Sequence, residues 1–573
     1  MTNMGGIIKK DQGFIDVLTS DETKVYKYNG KTYVITYDGE IYNKEEIRND
    51  LLSRGNFLDS DLEEEIILKS YITWKDGCLE RFEGVFSLGI WEVENRKLFL
   101  ARDPIGAKSL FYSILEDGLI FSNHIKYLLK TGEVEAQITY EGISELLTLG
   151  PSRRGGSAIL KDVAMLEAGS YIEYENGNVR VFKYAEFEAY ENKEEFSSVV
   201  DNIREIVIDS ILKQYKGEDS VCTLLSGGLD SSIVTAVISD AVKQKGGKLK
   251  TFSVDYEGND VFFEGNDFQP NSDNEWVDRM VKFLDTDHTT IRLTNNVLVD
   301  YLDDAMALRG FPGMGDIDTS LMVFCKGMSK HTRVGLGGEC SDEVFGGYPW
   351  FFKEELKNSD FFPWIRSVEE RREYINNEIK ENFNVLEFAK DVYSMELKKV
   401  PTLYGDTAEE KQIRKVGYLT YRWFLPVLLE RQDKMVRGSD FKIRSPFCNF
   451  NLMKYVYNIP WEYRNYNNME KGLLRYAFCD ILPKEVALRK KSPYPKTYNP
   501  LYTELVKNRF LEIITNNNSP ILDIVDRDNV LKLTEEGAKT NRPWYGQLMK
   551  GPQIMAFLIQ VNSWLKEYKI KVV

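Results

Sequence analysis

The stretch VCTLLSGGLDSSIVTAV, residues 221–237, decides how this chain is read. An apolar run over 221–225 has the length and content of a buried strand. It breaks into Ser226-Gly227-Gly228-Leu229-Asp230-Ser231-Ser232, and apolar residues then return at helical spacing. A strand that gives way to a helix in this manner is where open parallel sheets bind ligands. Gly227 and Gly228 let backbone come close to a bound group. Unpaired amides at the helix start, with the dipole behind them, favour an anion. Ser226, Ser231 and Ser232 add hydroxyl donors. The loop lacks the Gly-Lys-Ser/Thr ending of the common mononucleotide loop, so a kinase or GTPase cradle is not indicated. Asp230 adds a further constraint. A carboxylate beside phosphates is repulsive unless a cation bridges them, and magnesium held by a carboxylate plus substrate phosphates does that. A tight turn with a capping serine explains Ser-Gly-Gly alone. All seven residues in this context fit a phosphate loop better.

Working outward, FSSVVDNIREIVIDSILKQY precedes the loop as an amphipathic helix. KLKTFSVDY (strand), DNEWVDRMVKFLDT (helix) and HTTIRL (strand) follow, with one more buried strand at TRVGLGG. Such alternation predicts an α/β domain with a parallel sheet and covering helices. The rest, from about residue 296, reads as mainly helical. A second element, VGLGGECSDEVFGGYPWFF (334–352), is again a strand followed by glycines, here with acids. Asp342 is a candidate second carboxylate for magnesium. Glu339 is a candidate base or orienting group for a nucleophile. Apolar residues flank these acids on both sides, and charge embedded in apolar sequence needs a partner. A third element is basic: RQDKM (431–435) and RKKSPYPKT (489–497). A site that handles polyphosphate needs cations for the charge that develops on the leaving group.

The first part of the chain has a different pattern and reads as α+β. KVYKYNGKTYVITYDGEIYN alternates aromatic and polar residues around Asn29-Gly30, a hairpin signal. VFSLGIWEVENRKLFLARD is a second pair, turning at 94–96, and KEEIRNDLLSRG and DLEEEIILKSYITW between them have helical spacing. GLIFSN and SYIEYENGNVRVFKY read as further strands. The charged stretch 186–196 is a linker, which sets two domains at 1–188 and 198–573. At 573 residues the chain exceeds a single core. No window approaches 18 uninterrupted apolar residues, so no membrane span is expected, and the N-terminus lacks a signal-peptide pattern. Six cysteines lie scattered without a C-x-x-C pair. Neither a disulfide framework nor a zinc site is expected, and a reducing cytoplasm fits. Three histidines exclude a histidine-rich metal site, and a net charge of −15 argues against a nucleic-acid-coating surface while leaving room for a local basic pocket.

Together and in this order, LSGGLDSS, GGECSDEVFGGYPWF, RQDKM, RKKSPYPKTYNP and GPQIMAFLIQVNSWLKEY resemble the asparagine synthetase family, in its long form from Gram-positive bacteria. FQPNSDNEW and GFPGMGDIDTS resemble it too, and the likeness covers essentially all of 198–573. More loosely, YDGEIYN resembles the family's Asn-Gly-Glu-Ile-Tyr-Asn, and ARDPIGAKSLFY its Ala-Arg-Asp-x-x-Gly-x-Lys-Pro-Leu-Tyr-Tyr. The resemblance implies an N-terminal αββα glutaminase-like domain of the Ntn type. It also implies a C-terminal adenine-nucleotide α-hydrolase-like (PP-loop) domain that uses ATP and magnesium to convert a carboxylate into an acyl adenylate. Carried over, Ser226, Gly227, Gly228, Asp230, Ser231 and Ser232 hold pyrophosphate and magnesium, and Asp342 is the second magnesium contact. Leu224, Val254 and Gly338 border the adenosine. Glu339 deprotonates or positions the attacking amine, Lys491 stabilises charge at the adenylate, and Lys434 contacts phosphate.

The likeness also fails in places. Glutaminases of the family begin Met-Cys-Gly-Ile, freeing a cysteine nucleophile. This chain reads MTNMGGII, with Gly5 at the cysteine position and Cys78 as its first cysteine. The segments carrying His-Arg-Gly-Pro-Asp and a glutamine-clamping arginine are missing. The Asn of Asn-Gly-Glu is Asp38, whose charge opposes an oxyanion. Asp38, Gly39 and Asp61 are what is left of a glutamine site, and Thr2 as a substitute nucleophile has nothing matching around it. The expectation is a glutaminase-like domain without activity. In the other half SDFKIRSPFCNF departs from Gly-x-Glu-x-Arg-Val-Pro-Phe-x-Asp: Lys442 replaces a glutamate and Asn449 an aspartate, and Gly337 stands for Ser or Thr. These changes cast doubt on aspartate as substrate. Three readings follow. One is an amide ligase using ammonia, free or from a separate glutaminase. Another is a ligase whose nucleophile is an amine of its small-molecule or peptide substrate, as in the related β-lactam synthetases and lasso-peptide cyclases. The last is a non-catalytic relative, disfavoured because the nucleotide residues, Glu339 and Lys491 remain. Homodimerisation stays open.

Overall fold

The computed structural model describes residues 3–9, 13–16, 23–263, 265, 272–535 and 543–573. Thr2 and the first four residues of FQPNSDNEW lie outside the described residues. The chain divides into two compact units. The first comprises Met1–Ile143, Arg153–Glu186 and Tyr568–Val573, and the second Ser144–Ser152 and Phe187–Glu567. Relative to a single division at the linker, residues 144–152 and 568–573 have changed sides.

The first unit contains β1 (Gly5–Lys9), β2 (Gly13–Asp16), β3 (Lys24–Tyr28), β4 (Lys31–Ile41), β5 (Gly84–Glu92), β6 (Lys97–Arg102), β7 (Phe111–Leu115), β8 (Gly118–Ser122), β9 (Gln137–Ile138), β10 (Ala164–Met165), β11 (Ser170–Glu175) and β12 (Asn178–Lys183). Two antiparallel sheets form, in the orders β10-β7-β8-β1-β2 and β12-β11-β6-β5-β4-β3. Period-two alternation sorts their side chains between two cores. From β5 and β6, Leu88, Ile90 and Phe99 face the helices Lys44–Ser53 and Glu63–Trp74, where Ile47, Leu51, Ile66 and Tyr71 cover them. Their neighbours Trp91, Leu98 and Leu100 point the other way, against Ile8, Leu119 and Phe121 of the other sheet. The helix Ile125–Lys130 lies on β7 and β8. The layers are those of an αββα sandwich.

The second unit holds β13 (Val221–Leu224), β14 (Lys250–Tyr256), β15 (Asp287–Leu293), β16 (Val334–Leu336) and β17 (Lys442–Arg444) in one all-parallel sheet ordered β15-β14-β13-β16-β17. Outside both layers, β18 (Lys571–Val572) pairs with β9. From β13 the chain winds outward through β14 and β15, then returns to the other flank of β13 as β16. That reversal opens a crevice at the carboxyl ends of β13 and β16, the place where such sheets bind ligands. The sequence reading found four of these five strands. It missed β17, a three-residue strand too short to carry a pattern.

Residues 184–195 take no regular structure, as a linker should. They are nonetheless anchored. Phe187 is buried with its ring 5.1 Å from Tyr421 and 5.2 Å from Phe450, and Asn458 Nδ2 donates to the Glu188 carbonyl at 3.0 Å. Two cysteines distant in sequence, Cys340 and Cys448, come together with Cα atoms 5.4 Å apart. Their separation of 108 residues hides the pair from any spacing motif.

Candidate functional site

The 226–232 loop bonds to itself. Ser226 N donates to Ser231 Oγ at 3.2 Å, the two hydroxyls are 3.0 Å apart, and Gly228 N donates weakly to Ser226 Oγ at 3.4 Å. The helix Leu229–Gln244 starts within this stretch, with Gly228 at its N-cap and no side-chain cap bond. Its first amides therefore remain available to an external acceptor. Gly227 has φ of +68°, and a Cβ there would lie 2.5 Å from Trp276 Cβ and 2.7 Å from Val277 N. Only glycine fits. Ser232 Oγ is buried and has no hydrogen-bond partner among the described residues.

The loop after β16 meets this one backbone to backbone. A Cβ on Gly338 would lie 2.7 Å from Ser231 N and 2.8 Å from Asp230 Cβ. The contact brings Asp342 beside Asp230, and a buried lysine joins them. Lys471 Nζ is 2.6 Å from Asp230 Oδ2 and 2.5 Å from Asp342 Oδ1. Lys491 Nζ sits 2.5 Å from Asp342 Oδ2, and Ser341 Oγ donates to Asp230 Oδ1 at 2.7 Å. Burial alone would push the Asp342 carboxyl up. The two ammonium groups overcome it and hold the group at about 2. Burial likewise opposes the charge on Lys471, but Asp230 and Asp342 raise its pKa above the ordinary value. Next door the balance goes the other way. Burial and the charge on Asp342 push Glu343 up to about 7, although Tyr348 donates to its Oε1 at 2.6 Å.

Asp230, Asp342, Glu343, Tyr348 and Lys491 line one cavity of about 180 Å³, and Lys471 lies outside its lining. Leu224, Phe252, Val254, Val277 and Phe324 give it an apolar wall, and Ser226, Gly228, Asp230 and Ser231 a polar end. Gly338, Glu339, Asp342, Lys491 and Arg489 complete it. Arg489 pairs with Asp273, donates to the Ser226 carbonyl at 3.2 Å and lies over the Trp276 ring at 5.0 Å. Glu339 is half-buried and makes no ion pair or side-chain hydrogen bond among the described residues. The arrangement can hold a polyphosphate at its polar end and a flat apolar group against its wall. Asp230 and Asp342 are hard oxygen donors of the kind magnesium takes, but the place between them is filled by Lys471 Nζ, which a cation would have to displace.

Most residues singled out from sequence meet here, but not all. Gly227 and Ser232 belong to the loop without lining the cavity. Lys434 is fully buried with Nζ 3.2 Å from Asp433, and the structure does not bring it to the cavity lining. The rest of RQDKM is also placed behind the wall: Arg431 lies over the Tyr494 ring at 4.5 Å. Lys442 is exposed on β17, and Asn449 caps the helix Phe450–Tyr457 by accepting from Asn451 N and Leu452 N. Neither lines the cavity, so these two departures act on a strand and a cap. Gly337 does line it, and a Cβ there would meet nothing closer than 3.9 Å. Lys471 was missed. Its only signal is a lysine set among apolar residues in EKGLLRYAF, the reasoning applied to the acids but not to this base.

The first unit keeps Asp38 and Gly39 on β4. Asp38 is 2% exposed and bound: Lys108 Nζ is 3.3 Å from Oδ1, and Asn123 Nδ2 donates to Oδ2 at 2.8 Å. Asp61 is exposed and paired with Arg48 at 3.0 Å. At Gly5 a Cβ would lie 3.0 Å from the Phe121 carbonyl and 3.2 Å from Ser122 Cβ. Cys78 is buried among core side chains, and burial pushes its thiol up.

Among the described residues no helix is long and apolar enough to cross a membrane. Residues 202–566 match the asparagine synthase family, and residues 16–185 match the glutamine amidotransferase domain. The chain is 37% identical over 560 residues to asparagine synthetase [glutamine-hydrolyzing] 3 of Bacillus subtilis, covering 97% of this chain and 91% of that protein. It is 26% identical over 553 residues to asparagine synthetase [glutamine-hydrolyzing] 1 of the same organism, covering 89% and 82%. The family match spans most of the chain and the identity to the first of these relatives extends over nearly all of it, and on that ground the chain belongs to the asparagine synthase family.

Proposed function

We propose that this chain is an ATP-dependent amide-forming ligase that adenylates a carboxylate and transfers it to an amine, without hydrolysing glutamine itself. The observation that carries the reading is the convergence of Asp230 and Asp342 on Lys471, with Lys491 beside them, at the mouth of the 226–228 loop. The amides and hydroxyls of that loop bind the phosphates, and Leu224, Phe252 and Val254 cover the base. Asp230 and Asp342 would hold magnesium, which when bound neutralises charge between carboxylates and phosphates. The substrate carboxylate attacks the α-phosphorus and pyrophosphate leaves. Lys491 answers the charge that develops on the phosphoryl oxygens. An amine then attacks the acyl carbon, AMP leaves, and Glu339, uncommitted to any ion pair among the described residues, takes the proton.

Two features of the first unit support the absence of glutamine hydrolysis. Asp38 is locked to Lys108 where a neutral oxyanion donor is needed, and Gly5 sits where even a Cβ is crowded. Nitrogen then comes from ammonia or from a separate glutaminase, with aspartate or a related acid as acceptor. A second reading, in which the substrate carries the amine, is favoured by Gly337, which leaves the wall beside Glu339 open. With ATP, magnesium, aspartate and ammonium, the first reading expects AMP and asparagine. The second expects AMP only with an amino-acid derivative or peptide. Glutamine-dependent turnover by the purified chain refutes the proposal for the first unit. ATP–pyrophosphate exchange with none of these acids refutes the ligase.

A further inference from the structure

A second cavity lies in the same unit and shares no lining residue with the nucleotide cavity. It measures about 480 Å³, within the roughly 300–1,000 Å³ of small-molecule sites. Arg464 lines it and is 2% exposed. Its Nη2 donates to the Val344 carbonyl at 3.2 Å, its Nε has no hydrogen-bond partner, and its guanidinium lies 5.3 Å from the Trp461 ring. Among the described residues no carboxylate pairs with it, and burial pushes its pKa down. A buried charge without a counter-ion is costly, and an anion in the cavity would relieve it. The other guanidinium in the lining is already paired: Arg414 Nε is 3.0 Å from Asp406 Oδ2, and its Nη1 donates to Asn458 Oδ1 at 3.1 Å.

Two further carboxylates line the same space without reaching Arg464. Glu410 Oε2 accepts from Thr407 N and Thr407 Oγ1, each at 2.8 Å, and its Oε1 accepts no hydrogen bond among the described residues. Glu191, from the linker, is exposed and 3.1 Å from the equally exposed Lys193, a pairing worth little. The buried end of the cavity is thus cationic and its exposed rim acidic, with Leu403, Ile413 and Ile459 as apolar wall. A purely anionic ligand would meet repulsion at that rim. We propose that this cavity binds a zwitterion with an apolar body, its carboxylate on Arg464 and its ammonium toward Glu191 and Glu410. A free apolar amino acid and a short apolar peptide share that chemistry. The site stands apart from the ligase reaction and is read without nucleotide.

Calorimetric titration of the full chain with L-leucine, L-phenylalanine and leucyl-leucine is expected to give a Kd of about 1 mM or tighter for at least one of them. Which one binds tightest separates amino acid from peptide. The amide of that ligand, which lacks the carboxylate, and its N-acetyl form, which lacks the ammonium, should each bind about tenfold more weakly or worse, the loss of one charged hydrogen-bond partner. Arg464→Met should weaken the parent ligand to the same extent. Should that variant misfold, Leu403→Trp places a bulky ring in the cavity from the opposite wall and should weaken binding likewise. Absence of binding by all three ligands at millimolar concentration overturns the proposal. So does equal affinity for the amide or the N-acetyl form. A ligand that binds the parent and keeps its affinity in the folded variants sits elsewhere on the chain, and that result overturns it too.

Discussion

Lys491 Nζ stands 2.5 Å from Asp342 Oδ2, although 149 residues separate the two in sequence. The lysine is thereby held in the cavity wall with its charge in place before any substrate arrives, which is the preorganisation that electrostatic catalysis requires. Lys491→Ala is expected to lower the rate of adenylate formation by about 10²–10³-fold, with MgATP affinity changed far less. Pyrophosphate exchange measures the first and calorimetry the second. An unchanged exchange rate would remove Lys491 from the reaction.

Lys471 neutralises two carboxylates at once while buried. Lys471→Met strands both, and losing one partner of a buried pair costs about 3–5 kcal/mol. The melting temperature should fall sharply. Magnesium should restore part of it, because a divalent cation can occupy the position the ammonium left. Melting curves with and without magnesium decide this, and equal curves would mean that the carboxylates do not form a cation site.

Gly338 has no room for a methyl group, since its Cβ would press on Ser231 N and Asp230 Cβ. Gly338→Ala is expected to push the two loops apart and abolish measurable MgATP binding while the chain still unfolds cooperatively. Parent-like affinity in calorimetry would show that the loops can part without cost.

Glu343 has its carboxyl raised from 4.5 to about 7, so the folded chain prefers the protonated form. The stabilisation this gives is fully present below 4.5 and is lost as pH rises through about 7. Glu343→Gln keeps a neutral side chain at every pH. Its melting temperature relative to the parent should therefore climb across that interval and level off above it. A difference that stays flat with pH would place the carboxyl's titration elsewhere.

In the first unit, Asp38→Asn leaves Lys108 buried beside a neutral amide. A loss of stability in denaturant unfolding is expected, with no gain of glutamine hydrolysis. Release of glutamate from glutamine by this variant would show that the charge at position 38 alone silences the unit.

The parts of the fold that were legible are those written in local periodicity. The amphipathic run 196–215 is the helix Phe196–Tyr215, and the aromatic alternation around Asn29-Gly30 is the β3–β4 hairpin. The glycine loops were legible because their residue types serve close backbone approach and little else. What stayed hidden is what depends on distant partners. Lys471 reads as an ordinary helix-start lysine until Asp230, 241 residues away, is seen at its tip. Lys434, a phosphate contact only by resemblance, and Arg431 of the same basic run are absent from the cavity lining, because their helix turns them into the core. The three residues of β17 hold their place by pairing with β16 and carry no pattern of their own.

The strand order has a consequence for the order of events during synthesis. The glycine turn at 226–232 leaves the ribosome early, but its neighbour β16 begins at Val334, and Lys471 and Lys491 emerge later still. Contacts so distant along the chain form slowly and late. A nascent chain halted before residue 334 carries its glycine turn at an uncovered sheet edge, open to mispairing, with Asp230 lacking its counter-ion. Competence to hold nucleotide should thus arrive abruptly, near the end of translation, and the half-made domain is the species most in need of a chaperone.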